Sequence, residues 1–144
     1  MDTKELIREA VRAGALGEAE RATELIDQIP EDHHLSFSTY VTAVFCGVVE
    51  YRFMDDQSIE AITSFVDEMR DDFSQLDPPL KPMTVEALIR IFFGEDQMVD
   101  EVDGAEQLHY QLLVIRKVVH ESPELQKNID QLLTEAQLLI DSMD

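Results

Sequence analysis

The sequence predicts an all-α protein, a single-domain helical bundle of about seven antiparallel helices. Three observations predict it. Apolar residues recur at alternating steps of three and four along most of the chain. Helix-start signals (Asp2, Ser58, Ser122-Pro123) and stop signals (Pro30, Gly94, Asp77-Pro-Pro-Leu-Lys-Pro82) stand at the ends of those runs. The one stretch that could be a buried strand, Val41 to Val49, belongs to an apolar run of about eighteen residues without a turn signal, which favours helix.

The elements follow in order. Asp2-x-x-Glu5 has capping-box character, and Leu6, Ile7, Ala10 and Val11 predict a first helix. Gly14 and Gly17 punctuate a turn, and a second helix runs from Glu18 to Ile29, where Pro30 stops it. Glu31-Asp32-His33-His34-Leu35 reads as a polar loop. Ser36 or Ser38 can cap a third helix to Phe53, apolar around nearly its whole circumference and therefore central. Gly47 inside it predicts close approach of a neighbour, since glycine there costs about 1 kcal/mol relative to alanine. Ser58 caps a fourth helix with the seam Ile59, Ile62, Val66, Met69, Phe73 and Leu76. Thr84 can cap a fifth helix to Gly94, and an acidic loop follows. A sixth helix spans Ala105 to His120 with Leu108, Leu112, Ile115 and Val119 on one face. Ser122-Pro123-Glu124 opens the last, with the seam Leu125, Ile129, Leu132, Ala136, Leu139 and Met143, expected to pack on the sixth helix. The domain thus covers 1–144, as a first half 1–77, a proline linker 78–82 and a second half 83–144.

Residues 3–30 place two short helices around a tight turn, with Ala10, Gly14, Ala19 and Pro30 near the small-residue and proline positions of a known motif. They resemble one tetratricopeptide unit, and the resemblance implies that the fold opens with a helical hairpin of that kind. The motif's usual tryptophan and tyrosine are absent, and no repeat period continues downstream. The likeness covers about a fifth of the chain and implies no family.

Charge is the distinctive property. Thirty-one acids face eleven bases, a formal net charge of −20. From Asp55 to Asp77 there are eight acids and one base, Arg70; from Gly94 to Glu106 there are six acids and no base. Such clustering argues against nucleic acid as a partner, because phosphate contacts need grouped Lys and Arg. Anionic membrane surfaces are disfavoured for the same reason, and no stretch has the roughly 20 apolar residues that span a bilayer. A single cysteine, Cys46, forbids an intrachain disulfide and points to a reducing, cytoplasmic setting.

No catalytic signature emerges, so the chain is expected not to be an enzyme and to need no cofactor. Cys46 lies among Val44, Phe45, Val48 and Val49, and burial silences a thiol. There is no glycine-rich phosphate loop. Glu106-x-x-His109 matches one part of a di-iron carboxylate bundle, with Glu50 and Glu86 as conceivable lone carboxylates. Its second Glu-x-x-His, Glu31 to His34, falls in a loop. Aligning Asp103-Gly104 with a calcium-loop Asp-Gly puts Val99 and Tyr110 at ligand positions, and both are wrong. No metal-ligating residue is therefore assigned.

The expected function is a protein-interaction module, of inhibitor, immunity or adaptor type, that engages a basic partner. Its candidate surface is Glu60, Asp67, Glu68, Asp71 and Asp72 on the fourth helix, with Asp96, Asp100, Glu101 and Asp103 from the acidic loop, as one contiguous face. The alternatives are a metal-carboxylate bundle enzyme or metal sensor, and an acidic surface that serves only solubility. The last helix carries Leu133 and Ile140 beside its seam, a surplus that allows a homodimer through the C-terminal helices.

Overall fold

The computed structural model describes residues 1–143; the side chains of Asp96, Asp100 and Glu101 lie outside what it describes. Among the described residues there are eight α-helices and no strand. They are α1 (Thr3–Ala15), α2 (Ala19–Asp27), α3 (His34–Arg52), α4 (Ile59–Asp72), α5 (Pro82–Phe92), α6 (Gly104–His120), α7 (Pro123–Lys127) and α8 (Ile129–Ser142), with 3₁₀ turns over Glu31–His33 and Asp96–Glu101. No helix among them is long and apolar enough to cross a membrane.

Side-chain caps set four of the helix starts. Backbone N–H groups of Glu5, Ala61, Ala105 and Leu125 donate to Asp2, Ser58, Asp103 and Ser122 at 2.8, 3.1, 2.9 and 3.2 Å. Each satisfies an amide that the first helical turn leaves unpaired, a contribution of about 1 kcal/mol. At the other end of α1, Gly17 takes φ +79, a conformation glycine enters freely, and the Glu18 amide reaches back to the Ala13 carbonyl at 2.9 Å.

Several expected boundaries move. α3 begins at His34, before either serine. α5 begins at Pro82, whose fixed φ suits a first turn, and Thr84 is buried inside the helix instead of capping it. The expected last helix divides at Asn128, making eight helices of seven. There the asparagine side chain donates to the Glu124 carbonyl at 3.0 Å, an acceptor it shares with its own backbone amide.

Core burial follows the apolar pattern with instructive shifts. α3 is buried over most of its circumference, from Phe37 through Val41, Val44, Val48 and Val49, and leaves Leu35, Ser36 and Glu50 exposed. α6 is too, since Tyr110, Leu113, Val114 and Val118 join Ile115 and Val119. These two helices pack on each other at the centre, with α1 against both. On α4 the inward set is Ile62, Phe65, Val66 and Met69; Phe65 is fully buried, while Ile59 is exposed. Phe53, Phe65, Phe92 and Phe93 form an edge-to-face chain with centroid separations of 5.0–6.1 Å that joins the ends of α3 and α5 to α4.

α8 packs on α3 and α1, and the sixth helix is met by α7. The break at Asn128 redirects the chain, and the buried register becomes Leu125, Ile129, Leu133 and Ala136 instead of one continuing through Leu132 and Leu139. Gly47 is the crossing point of α3 and α8: a Cβ there would stand 3.1 Å from Cδ1 of Leu132. The Tyr40 hydroxyl donates to the Leu133 carbonyl at 3.1 Å and fixes the same crossing.

Candidate functional site

The fourth helix carries its acids on two sides, and the structure treats the two sides differently. Glu60, Asp67 and Asp71 stand at intervals of seven and four, so they share a strip opposite the buried side chains, and all three are exposed. Asp67 has one partner, Arg70 one turn away at 3.7 Å, and both are largely solvated. Asp55 and Asp56, exposed in the loop before α4, extend the strip. The Asp56 carboxylate accepts the Ser58 amide at 2.9 Å, which holds it below the usual carboxylate range and charged.

Glu68 and Asp72 turn instead toward α6. The Lys117 Nζ lies 2.7 Å from Asp72, 3.4 Å from Glu121 and 3.5 Å from Glu68, with its side chain only 6% exposed. Arg52 completes the group, donating to Glu121 at 2.7 Å and standing 4.0 Å from Glu68. Beneath both cations is aromatic surface. The Arg52 guanidinium is 5.1 Å from the Phe65 ring centre and 5.3 Å from that of Phe53, and the Lys117 ammonium is 5.6 Å from Phe65. The layers are thus ring, cation and carboxylate from inside outward. Burial is the largest influence on Lys117 and favours its neutral form. The Asp72 hydrogen bond and the charges of Glu121, Asp72 and Glu68 together outweigh it, so its pKa is raised.

This cluster holds α4 in place. The backbone of α4 packs mainly on α5. Phe65, edge-to-face on Phe53, and the two inward carboxylates tie it to α6 and the end of α3. Glu68 and Asp72 therefore orient the helix, and the acids left outward are Glu60, Asp67 and Asp71.

The second acidic segment lies across α5, which packs on both α4 and the 3₁₀ turn Asp96–Glu101. A polar relay crosses α5. The Thr63 hydroxyl reaches Glu86 at 3.5 Å, and Glu86 accepts from Arg90 at 3.3 Å. Arg90 also clamps Glu95 with two bonds of 2.8 and 2.6 Å. That fork holds the Glu95 carboxyl below its ordinary pKa. Asp103 is exposed and caps α6. The side chains of Asp96, Asp100 and Glu101 lie outside the described residues, so the expected single acidic face is placed only on its α4 side.

The carboxylates considered for a metal do not meet. Glu86 is bound to Arg90, Glu106 to Lys81 at 2.8 Å, and Glu50 and His109 are exposed. Among the described residues no three His, Cys, Asp or Glu side chains are grouped to hold a metal ion. Every buried side-chain polar atom among them has a hydrogen-bond partner. Cys46 is half-buried, and burial, with Glu50 nearby, pushes its thiol pKa up, away from nucleophilic character.

Lys117 and Arg52 are the residues that sequence reasoning passed over. A signal existed. Lys117 falls three, four and seven residues after Val114, Leu113 and Tyr110, on a buried stripe. Arg52 stands in the same relation to Val49, Val48 and Phe45. A lone base on an apolar stripe requires a carboxylate partner, and the nearest acid-rich helix is α4. No family model, curated protein or solved structure matches the chain.

Proposed function

We propose that the protein is an interaction module, of the inhibitor, immunity or adaptor kind, that engages a basic protein through the outward acids of α4 and the loop before it. One observation carries this reading. Among the described residues, eight of the eleven bases (Arg8, Arg12, Arg21, Arg52, Arg70, Lys81, Arg90 and Lys117) are engaged in internal ion pairs. Among the described residues, the ion pair made by Asp55, Asp56, Glu60, Asp67 and Asp71 is that of Asp67 with Arg70, at the edge of the strip. A strip of like charge on a helix held rigidly from behind attracts a basic surface and speeds its approach. Nucleic acid and anionic membranes are repelled by the same field. The lone Cys46 fits a reducing, cytoplasmic setting.

The test is affinity capture from the native cell lysate at low and high salt, read by mass spectrometry. The expected result is one basic protein at near-equal stoichiometry, weakened by salt. Charge reversal at Asp67, Asp71, Asp100 and Glu101 weakens that capture while the thermal midpoint is nearly unchanged. Equal capture by the reversed protein refutes the reading and leaves the acids a role in solubility.

A further inference from the structure

We infer that the hollow between the end of α3 and the α7–α8 arm receives an amphipathic basic segment of the partner, seated beside the acidic strip. The inference rests on the basic-partner reading above and names where that partner's apolar and basic side chains go. The hollow lies beside the crossing of α3 and α8, where Gly47 contributes no side chain to fill it. Gly47, Glu50 and Tyr51 share one face of α3, and Met54 follows its end. Leu125, Leu132 and Glu135 stand across from them, and the space between is about 610 Å³.

Apolar surface lies deepest and charge lies at the rim. Leu125 is buried and Leu132 half-buried, whereas Glu50, Glu124 and Glu135 are exposed. Among the described residues, no Lys, Arg or His lines the hollow. Lys127 on α7 is exposed but does not line it, and Arg52, next to Tyr51, is turned to Glu121 and Glu68. Glu124 accepts the Tyr51 hydroxyl at 3.0 Å, and Glu135 accepts the Gln131 side-chain amide at 3.2 Å. These neutral donors orient two of the carboxylates and leave their charge in place. The hollow is also continuous with the strip. Met54, 61% exposed, and Gln57 line it, and Asp55 and Asp56 stand between them in the chain. Ile59, 59% exposed at the start of α4, adds apolar surface on the strip's side.

Charge complementarity selects the occupant. A second copy of this chain brings a net charge of −20 toward three carboxylates, and phosphates or anionic lipids are repelled in the same way. A purely cationic segment satisfies the rim and leaves Leu125 and Leu132 uncovered. A helix with arginine or lysine on one side and apolar residues on the other satisfies both. Its apolar face covers Leu125, Leu132 and Met54, and its cations stand at Glu50, Glu124 and Glu135, as in helix-in-groove recognition. Eleven residues line the hollow, fewer than the roughly 20–30 on one side of a standard interface, and the adjoining loop and strip supply the remainder.

The probe is a synthetic peptide of leucine and lysine whose apolar and basic residues fall on opposite faces of a helix. It is titrated into the full chain and followed by amide NMR shifts. The control peptide has the same composition, scrambled so that the faces mix. The expected result is that the amphipathic peptide shifts Gly47 and Leu132 and binds at least about tenfold tighter than the control, a difference of some 1.4 kcal/mol. Glu50→Lys with Glu135→Lys removes that advantage, and Met54→Ser weakens the amphipathic peptide more than the control. All three positions are exposed, so the variants fold, which circular dichroism verifies. Equal binding of the two peptides overturns the inference, as does an undiminished advantage in the Glu50 and Glu135 variant; capture of a basic protein through α4 then still stands. Conversely, a preference seated at Gly47 and Leu132, with lysate capture unaffected by reversal on α4, overturns the α4 reading and keeps the groove.

Discussion

Lys117 and Asp72 are 45 residues apart in the chain, yet the lysine ammonium donates to the aspartate at 2.7 Å. Lys117 is one of the most buried polar residues of the fold, whereas its partners Asp72 and Glu68 keep about half their side-chain surface in water. The contact is lopsided: the cation has given up its hydration, and the anions have not. Removing either side therefore has different consequences.

Lys117→Met replaces a buried cation with an apolar side chain of similar length and lets the carboxylates rehydrate, at a cost of about 1 kcal/mol or less. The triple variant Glu68→Gln, Asp72→Asn, Glu121→Gln leaves the ammonium buried without an anion and costs about 3 kcal/mol. Denaturant titration of both proteins checks the order. A larger loss in the methionine variant contradicts the assigned asymmetry.

The two sides of α4 differ in the same measurement. Asp67→Lys with Asp71→Lys changes stability by no more than about 0.5 kcal/mol, as expected of exposed positions away from buried groups. Glu68→Lys with Asp72→Lys places two more cations beside Lys117 and Arg52, and the thermal midpoint falls by roughly 6–12 °C if the loss is near 3 kcal/mol. Equal shifts in the two pairs mean that Glu68 and Asp72 do not anchor the helix.

Stability falls at acid pH in a way that Glu95 contributes to. Its carboxyl is held below its ordinary pKa in the folded protein by the Arg90 fork, so the unfolded state binds a proton first. The contribution is present above the ordinary carboxylate pKa and is lost as pH falls through the lower folded value. Lys117 has the opposite sign. Its raised pKa gives a contribution present below the ordinary lysine pKa and lost as pH rises through the higher folded value. Thermal midpoints of the wild type and Glu95→Gln, measured from pH 6 downward, converge as the acid loses its charge. Parallel curves exclude this role.

Gly47 separates backbone preference from packing. Gly47→Ala gains up to about 1 kcal/mol of helix propensity against a contact 3.1 Å from Cδ1 of Leu132. Leu132 borders an open hollow and can rotate away. The alanine variant is therefore stabilised slightly, by about 0.5 kcal/mol. Gly47→Leu meets the α8 crossing itself and costs about 1–3 kcal/mol. Chemical denaturation of the pair provides the check, and a destabilised alanine variant means that Leu132 is held fast.

Much of the architecture was legible because it is local. Asp2, Ser58 and Ser122-Pro123 were read as helix starts and act as caps. The apolar circumference of α3 and the close approach at Gly47 were legible for the same reason. The register of α8 was not, because Leu132 and Leu133 are equally apolar and the one-residue shift arises from the break at Asn128. Nor was the seam of α4, where Phe65 replaces Ile59 inside the fold. Periodicity marks a stripe as apolar, while the neighbour that covers it decides which edge is buried.

By itself the sequence determined the helical class, most helix boundaries, the surplus of acids and their concentration on α4, all of which follow from interactions within a few residues. Tertiary structure alone decided which of those acids pair with the bases of the central helices. Glu60, Asp67 and Asp71 differ from Glu68 and Asp72 in nothing but the side of the helix that meets Lys117 and Arg52. Those two bases come from α3 and α6, brought there by core packing. An ion pair forms where folding sets opposite charges within a few ångströms, and no local pattern in a chain encodes that distance.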